Sequence, residues 1–588
     1  MSYRITVPRK VTTALDYDGT HFILHAPFTK DSWINELAAG SWDKKQLFWK
    51  LPPYVIYART VLEQMPDISV SPEAQTALES SNMVPHIEQV LKALADHGRL
   101  DDAAVQVYAE TLFPYQRDAV NRLVIGPKHT GMGAIFPGGG KTIVTLVAAR
   151  LLSIMRVLII APKPLLRSWE NEAVKFFGEN WLNRCAGEGP TSEGWVLTNY
   201  DTVVEVEMEV KNGRKTKKVA GYGPRLKQYL AVDWDLVVLD ESVLVKNRNS
   251  QRFKGMLALR KAFPKRLDKR WWELSGSPTT RYADDLWAQF HLQDPEGFSS
   301  YWRFTNRVCY VVQDVWGTQI TGTRGNVDIA GDLKDVMFVV NQKDVLPDLP
   351  EEIPQLVEVQ LTPKQVKAYR EMNDDFVTTL ESGEEVWAAR KGRDQIILSK
   401  LIRLQQITSN LLNIGGTDES AKADAIVDML RARSFAMPAL IWTNWKPGAH
   451  ALWKRLGALT NKVDGPVSVE YVCGDFSDSD NEEKLEAYKA GGIDILIIAM
   501  PIGKYGHNLQ MTRTAIYHDK TWIADDYVQS MWRVRRRGLE HRPVVITLKA
   551  TETTDELIED NLSGKFPGIA KVTNADLAAM LRHLRGGQ

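Results

Sequence analysis

Residues 134–152, AIFPGGGKTIVTLVAARLL, set three consecutive glycines directly before Lys-Thr and an apolar helical run. Glycines let a backbone turn tightly and aim successive N–H groups at one point. A helix starting there adds its own unsatisfied N–H groups and the positive end of its dipole, so the turn favours an anion. Gly138, Gly139 and Gly140 are therefore the candidate cradle for nucleotide phosphates, Lys141 the cation for the terminal phosphates, and Thr142 a magnesium ligand. The full loop spacing asks for a further glycine at 135, where Ile135 stands. A glycine-rich turn before any helix would look the same, so a second element is needed.

DLVVLDES (235–242) supplies it: an apolar strand ending in Asp240-Glu241. A carboxylate at the carboxyl end of a strand, downstream of a phosphate loop, is where the second magnesium contact belongs. Glu241 beside it can orient and deprotonate an attacking water. Acidic residues also cap strands as solvated turns, but both elements fall in one strand–helix block about 100 residues apart. Together they predict a nucleotide-hydrolysing α/β lobe.

Two blocks carry short, wholly apolar runs followed by helical patterns, as parallel strands buried on both faces do. The first holds RVLIIAP (156–162), WVLTNY (195–200) and DLVVLDE (235–241); the second holds PALIWTNW (438–445), DILIIAM (494–500) and PVVITLK (543–549). Between them, 362–380 and 395–412 carry apolar residues at helical spacing, and the prolines of LPDLPEEIP (346–354) predict an irregular linker. At 588 residues the chain exceeds what one hydrophobic core usually serves. We expect an accessory domain over 1–105, a first lobe over 106–350, a helical insertion over 351–415 and a second lobe over 416–588.

Lys+Arg and Asp+Glu both number 73, so a nucleic-acid surface must come from local clustering rather than net charge. KNGRKTKKVAGYGPRLKQ (211–228) and RFKGMLALRKAFPKRLDKRWW (252–272) are such clusters; the first reads as a hairpin or loop inserted between two strands. Cys185, Cys309 and Cys473 lack paired spacing, which predicts neither disulfides nor zinc and fits a cytoplasm-like compartment. MSYRITVPRKV lacks the apolar core of a signal peptide, and no run is long and apolar enough to span a membrane.

The order of motifs resembles the SNF2-like branch of the superfamily 2 helicase ATPases, over roughly residues 110–560. LFPYQRDAV (112–120) resembles the glutamine motif, which implies that Gln116 contacts adenine. LIIAPKPLLRSWENE (158–172) and VLTNYDTV (196–203) resemble DNA-facing motifs, and LDESVLVKN (239–247) the acidic box with the Lys246-Asn247 of this branch. LSGSPTT (274–280) is similar to motif III, assigning Ser275, Gly276 and Ser277 to coupling with DNA. GKYGHNLQMTRTAIYHDKTW (503–522) resembles motif V, with Gly503, Gly506 and Asn508 in the same role. QSMWRVRRRG (529–538) resembles motif VI, with Gln529 toward DNA and Arg533 and Arg536 as arginine fingers. Three positions depart from the pattern: Val243 and Arg535 replace usual histidines, and Lys504 a usual glycine. None removes a phosphate, metal or water ligand, so hydrolysis should survive while the route of coupling is altered.

The resemblance implies two RecA-like parallel-sheet lobes with helical insertions and a small N-terminal α+β accessory domain. Residues 26–66, with Trp33, Trp42 and Trp49 in the N-terminal segment, resemble the HARP-type domain of annealing helicases. The motor motifs begin near Leu112, so residues 1–105 are expected to be separable. The implied activity is an ATP- and magnesium-dependent monomeric motor on double-stranded or branched DNA, remodelling or annealing forks. The alternatives are a strand-separating helicase on DNA or RNA and a DNA-binding scaffold with weak ATPase activity. Lys246-Asn247 argues against the first, and the intact Lys141, Asp240, Glu241, Arg533 and Arg536 against the second.

Overall fold

The computed structural model describes residues 13–562 apart from 19–20, 27–33, 35–39, 45, 47, 52–54, 80–100, 126–129, 186–189, 191–193, 204–205, 212–213, 223, 264–268, 281, 315–316, 376, 388–392, 460–466 and 501–507. Its contacts divide the chain into two compact units, Met1–Val345 and Leu346–Gln588.

The first unit opens with five strands, β1 (Ala14–Tyr17), β2 (Phe22–His25), β3 (Ser41–Asp43), β4 (Phe48–Lys50) and β5 (Ser69–Val70), in the order β3-β4-β2-β1-β5. Leu15 pairs with Leu24, and Leu24 with Trp49, so one face of this sheet is apolar. Trp49 packs edge-on against Trp42 at 5.4 Å; Trp33 lies outside the described residues. Helix α1 (Val55–Gln64) belongs to two cores at once. Val55, Ala58 and Val61 pack on the small sheet, whereas Ile56 and Tyr57 enter the core of the first lobe. The Tyr57 hydroxyl donates to Gly297 O at 3.1 Å, and Arg59 pairs with Asp332 at 2.5 Å. The N-terminal segment is therefore not a separable attachment; removing it would strip side chains from the lobe's interior.

The first lobe is a seven-stranded, all-parallel sheet. Helix α2 (Pro114–Ile125) precedes β6 (Thr130–Ile135), and α3 (Lys141–Leu151) follows it. Next come β7 (Val157–Ala161), α4 (Leu166–Phe177), β8 (Leu182–Arg184) and β9 (Trp195–Asn199). The antiparallel hairpin β10 (Val206–Lys211) and β11 (Arg214–Tyr222) forms a sheet of its own, as the basic insertion predicts. The lobe closes with β12 (Leu236–Asp240), α5 (Gln251–Ala262), β13 (Arg270–Ser275), α6 (Asp285–Gln293), the hairpin β14 (Cys309–Asp314) and β15 (Gly317–Thr323), and β16 (Met337–Val340). Strand order is β16-β6-β13-β12-β7-β9-β8. β7 and β12, VLIIA and LVVLD, are buried at every position, which is why they read as unbroken apolar runs.

The second unit is a six-stranded parallel sheet in the order β17-β24-β23-β20-β22-β21. β17 (Ile353–Val359) leads to α7 (Pro363–Asp375), the hairpin β18 (Val377–Thr379) and β19 (Glu385–Trp387), α8 (Arg393–Ser409) and α9 (Ala421–Arg431). β20 (Ala439–Thr443), β21 (Val469–Val472), β22 (Ile495–Ala499) and β23 (Thr514–Tyr517) follow, then α10 (Ala524–Val534) and β24 (Val544–Ala550). The linker expected over 346–354 is irregular from 346 to 352, and its last two residues begin β17, where Pro354 is tolerated because an edge strand's outer side needs no N–H donor. The helix expected over 362–380 stops at Asp375, and residues 377–379 turn into a hairpin strand.

Candidate active site

β6, β13 and β12 are neighbours in the sheet, and their carboxyl ends deliver three segments to one place. Ser275 is in register with Ala134, and Asp240 with Leu274. In an open parallel sheet this edge is where ligands bind.

After β6 the chain makes its glycine turn. Gly138 and Gly140 have φ of 83° and 91°, a left-handed backbone that favours glycine. A Cβ on Gly139 would lie 2.6 Å from Ile135 Cγ2 and 2.9 Å from Phe136 O. Ile135, standing where a further glycine was expected, is simply the last buried residue of β6 and packs on Gly139. Gln116 braces the turn: its Nε2 donates to Gly139 O at 3.0 Å, and its Oε1 accepts from Phe113 N at 3.0 Å. Lys141 and Thr142 begin α3, where the helix N–H groups face the turn.

Lys141 Nζ and Glu241 Oε1 are 2.9 Å apart, both side chains nearly buried. Glu241 has φ 50° and ψ 54°, a left-handed conformation for a non-glycine residue. Such backbone costs of order 1 kcal/mol and is maintained by its surroundings. Its Oε2 is buried without a hydrogen-bond partner among the described residues. Asp240 is held by three hydrogen bonds. Trp169 of α4 donates Nε1–H to its Oδ2 at 2.9 Å, the Tyr200 hydroxyl donates to its carbonyl at 2.8 Å, and Glu241 N donates to its Oδ1 at 3.0 Å. Burial, then the Glu241 charge, push the Asp240 carboxyl up to about 6, against the pull of Lys141. Ser275, fully buried, ends β13 and accepts from Ser277 N at 3.3 Å. A Cβ on Gly276 would meet Pro137 Cγ at 2.6 Å and Lys141 Nζ at 3.3 Å, so the 275–277 loop lies directly on the phosphate loop. The donor set fits a magnesium nucleotide: a glycine cradle closed to side chains, an ammonium, a hydroxyl residue at a helix start, and two carboxylates of which one oxygen is unpaired.

In the second unit, Leu509 N donates to Arg533 O at 2.9 Å, bringing Asn508 beside the carboxyl end of α10. Gln529 and Arg533 are buried on α10, Asn508 is exposed, and Arg536 lies half-buried beyond the helix. Gly503, Lys504 and Gly506 lie outside the described residues. Arg535, where histidine is usual, pairs with Glu352 at 2.6 Å and donates to Pro350 O at 3.3 Å, tying the entry to β17 onto α10.

Several cations of the basic stretch 252–272 are taken up within the lobe, whereas Lys254 and Lys261 are exposed and Lys265 and Arg266 lie outside the described residues. Arg260 donates to Leu292 O and Gln293 O at the end of α6, and Arg270 to Leu123 O and Val124 O at the end of α2. Lys269 is buried against Asp233 and Asp235, and Arg252 pairs with Asp201. Arg260, Lys269 and Arg270 thus close helix ends and strand starts. The three cysteines are buried and form no disulfide. Among the described residues no helix is long and apolar enough to cross a membrane.

Sequence reasoning did not single out Trp169, Tyr200, Ser242 or Gln289. Trp169, Tyr200 and Ser242 fall inside motifs read for other residues, and the bonds of Trp169 and Tyr200 to Asp240 span 71 and 40 positions. No local spacing announces them.

The chain thus carries two parallel-sheet lobes, the first with a phosphate loop and an acidic strand end at the carboxyl edge of its sheet. The chain belongs to the SNF2-related family: the SNF2-related domain matches residues 54–411, and the helicase conserved C-terminal domain matches 421–538. It is similar to the putative ATP-dependent helicase/translocase YwqA of Bacillus subtilis, 24% identical over 482 residues, covering 77% of this chain and 48% of that protein. It is also similar to the SWI/SNF-related matrix-associated actin-dependent regulator of chromatin subfamily A-like protein 1 of Bos taurus, 25% identical, covering 44% of this chain and 25% of the relative. The chain thus spans less than half the length of either relative. Among solved structures, the Sulfolobus solfataricus SWI2/SNF2 ATPase core in complex with dsDNA matches at 19% identity and TM-score 0.33, covering 81% of this chain and 97% of that one.

Proposed function

We propose that the chain couples ATP hydrolysis to movement along double-stranded DNA, with branched or forked duplexes as its working substrate. The observation that carries this reading is the convergence of Lys141, Asp240, Glu241 and the 275–277 loop on one sheet edge of an SNF2-related chain. Gly138–Gly140 and the start of α3 would cradle the phosphates, with Gln116 holding the cradle in shape beside the adenine. Lys141 would turn from Glu241 to the terminal phosphates. Thr142 and Asp240 would hold magnesium, which when bound neutralises charge developing on the phosphates. Glu241, released from Lys141, would take the proton of the attacking water.

Ser275, Gly276, Ser277, Gly503, Gly506, Asn508 and Gln529 would pass the state of the nucleotide to DNA, and Arg533 and Arg536 would act as arginine fingers. The β10–β11 hairpin carries Lys211, Arg214, Lys215, Lys217 and Lys218 in its sequence and would be the element that meets the DNA backbone. The resemblance of residues 26–66 to a HARP-type domain supports work on forks, including annealing. The test is ATP turnover with duplex, single-stranded and forked DNA and with RNA, run beside strand-displacement and strand-annealing assays. Stimulation by duplex and forks without unwinding is expected. Efficient strand separation would favour the helicase alternative, and no stimulation by any nucleic acid would remove the motor reading.

A further inference from the structure

We propose that Gln289 is a positioning residue that locks the acidic turn after β12 to the 275–280 loop, in a chain whose Val243 has no polar atom to do so. The inference rests on the ATPase reading above. Val243 is 7% exposed and purely hydrocarbon, so no hydrogen bond can pass through its side chain. The residue before it makes the connection. Ser242, fully buried, donates its hydroxyl to Gln289 Oε1 at 2.7 Å. Gln289, fully buried on α6, donates Nε2–H to Pro278 O at 2.8 Å and to Asp285 O at 3.1 Å. One amide thus accepts from the acidic turn and donates to the loop.

A second pair runs alongside. Asp285 lies one turn earlier on the same face of α6. Its Oδ2 accepts from Thr280 N at 2.8 Å and from Thr280 Oγ1 at 3.0 Å. Lys246, four residues after Ser242, reaches Thr280 Oγ1 and lies 3.6 Å from the Asp285 carboxylate. Ser242 and Lys246 therefore clamp α6 from one side while Pro278 and Thr280 are held from the other. The loop's first residues lie on the phosphate loop through Gly276, which has no room for a side chain beside Pro137 and Lys141.

The consequence is a fixed register between Lys141 and Glu241. Glu241 is held on its amino side by its N–H bond to Asp240 Oδ1, and on its carboxyl side by the Ser242 anchor. A shift of the 275–280 loop must be taken up by Gln289 and relayed to Ser242, hence to the Glu241 carboxylate. Gln289 never approaches the phosphates itself. A purely structural role would be served better by a hydrocarbon: its helix neighbours Leu286, Trp287, Phe290 and Leu292 are core, and burying an amide there costs desolvation that only its hydrogen bonds offset.

The experiment measures kcat and KM for ATP, with and without duplex DNA, for Ser242→Ala, Gln289→Leu, Gln289→Glu and the Ser242→Ala/Gln289→Leu pair, each below its melting transition. Gln289→Glu keeps the acceptor for Ser242 but sets an oxygen against two carbonyls. Gln289→Leu and Gln289→Glu should lower kcat about tenfold while KM for ATP stays within about twofold, since a buried hydrogen bond lost only from the aligned state appears in kcat. The double variant should be no worse than Gln289→Leu alone, because both cut one chain. Losses that multiply, a rise in KM with kcat preserved, or folded variants with unchanged kcat would each overturn the role. Should Gln289→Leu fail to fold, Ser242→Ala and Asp285→Asn decide by the same kcat criterion. A wild-type chain without ATP turnover would sink the ATPase reading, a result distinct from a failed relay.

Discussion

Arg307 and Glu63, 244 positions apart, meet in a two-pronged ion pair at 2.7 and 2.8 Å, with the arginine side chain only 7% exposed. The arginine belongs to the first lobe and the glutamate to α1, so this pair closes the seam between the N-terminal sheet and the motor. Asp332 lies 3.9 Å from the same guanidinium and also receives Arg59.

The seam sets the first prediction. Deleting residues 1–105 removes Ile56 and Tyr57 from the lobe's core, leaves the buried Arg307 without Glu63, and takes Asp101 from Arg150. The truncated chain should aggregate or melt early. In the full chain, Tyr57→Ala should cost roughly 3–5 kcal/mol, as large core truncations do. Denaturant midpoints for that variant and the yield of soluble truncated chain are the measurements. A stable, monodisperse 106–588 fragment would show that the shared helix is dispensable.

The second prediction separates binding from chemistry. Lys141→Ala should lose ATP binding, because the phosphates lose their cation and Glu241 is left buried and unpaired. Glu241→Gln should bind ATP and hydrolyse it very slowly, since the amide keeps the bulk and lacks the base. Equilibrium binding of a fluorescent ATP analogue, followed beside turnover, distinguishes the two variants. Wild-type turnover in Glu241→Gln would transfer the role of base elsewhere.

Glu273, wholly buried on β13, yields a prediction about pH. Burial pushes its carboxyl from 4.5 to about 8, and the bond from Trp271 offsets this only in part. The folded chain therefore keeps the proton over a range in which the unfolded chain releases it. Its contribution to stability is complete below about pH 4.5, falls by at most about 1.4 kcal/mol per pH unit up to about pH 8, and is flat above. Glu273→Gln removes that slope and should gain on wild type as pH rises from about 5 to about 8. Urea midpoints of both proteins across this range check it; parallel profiles would mean that Glu273 ionises normally.

What was legible in the sequence follows from how local the signal is. β7, β12, β20 and β22 are covered on both faces, so their apolar runs could be read directly. The phosphate loop was legible because φ above zero at Gly138 and Gly140 restricts the residue type. β6 and β16 were not, since TGMGAI carries two glycines and MFVV is only four residues long. The double allegiance of α1 was also invisible: alternate faces of one ten-residue helix enter different cores, and nothing in VIYARTVLEQ says which core each face meets. The basic run 252–272 was legible only as charge, because sequence does not reveal which of its cations reach solvent and which, like Arg260 and Arg270, reach a neighbouring carbonyl.

The last prediction concerns Arg533 and Arg536, to which the family resemblance assigns the arginine fingers. Their settings differ. Arg533 is 6% exposed in the last turn of α10, and its carbonyl holds Leu509 N. Arg536 follows the helix, half-buried, just past the Arg535–Glu352 pair that anchors this end of α10. Replacing Arg533 therefore disturbs a packed helix end as well as any role toward phosphate, whereas replacing Arg536 leaves α10 and its anchor intact. Arg536→Ala should keep near-normal ATP affinity, DNA binding and melting temperature, and lose about 10³–10⁵ in DNA-stimulated turnover, the usual cost of an arginine finger. Arg533→Ala should lose turnover together with stability, by roughly 1–3 kcal/mol for the buried groups left unpaired. Arg536→Lys should restore little, because a point charge does not reproduce a planar fork. Turnover against duplex concentration, with ATP binding and melting followed separately, makes the comparison. Full stimulation in both alanine variants would mean that the second lobe does not complete the active site, and the two-lobed motor would lose its chemical basis.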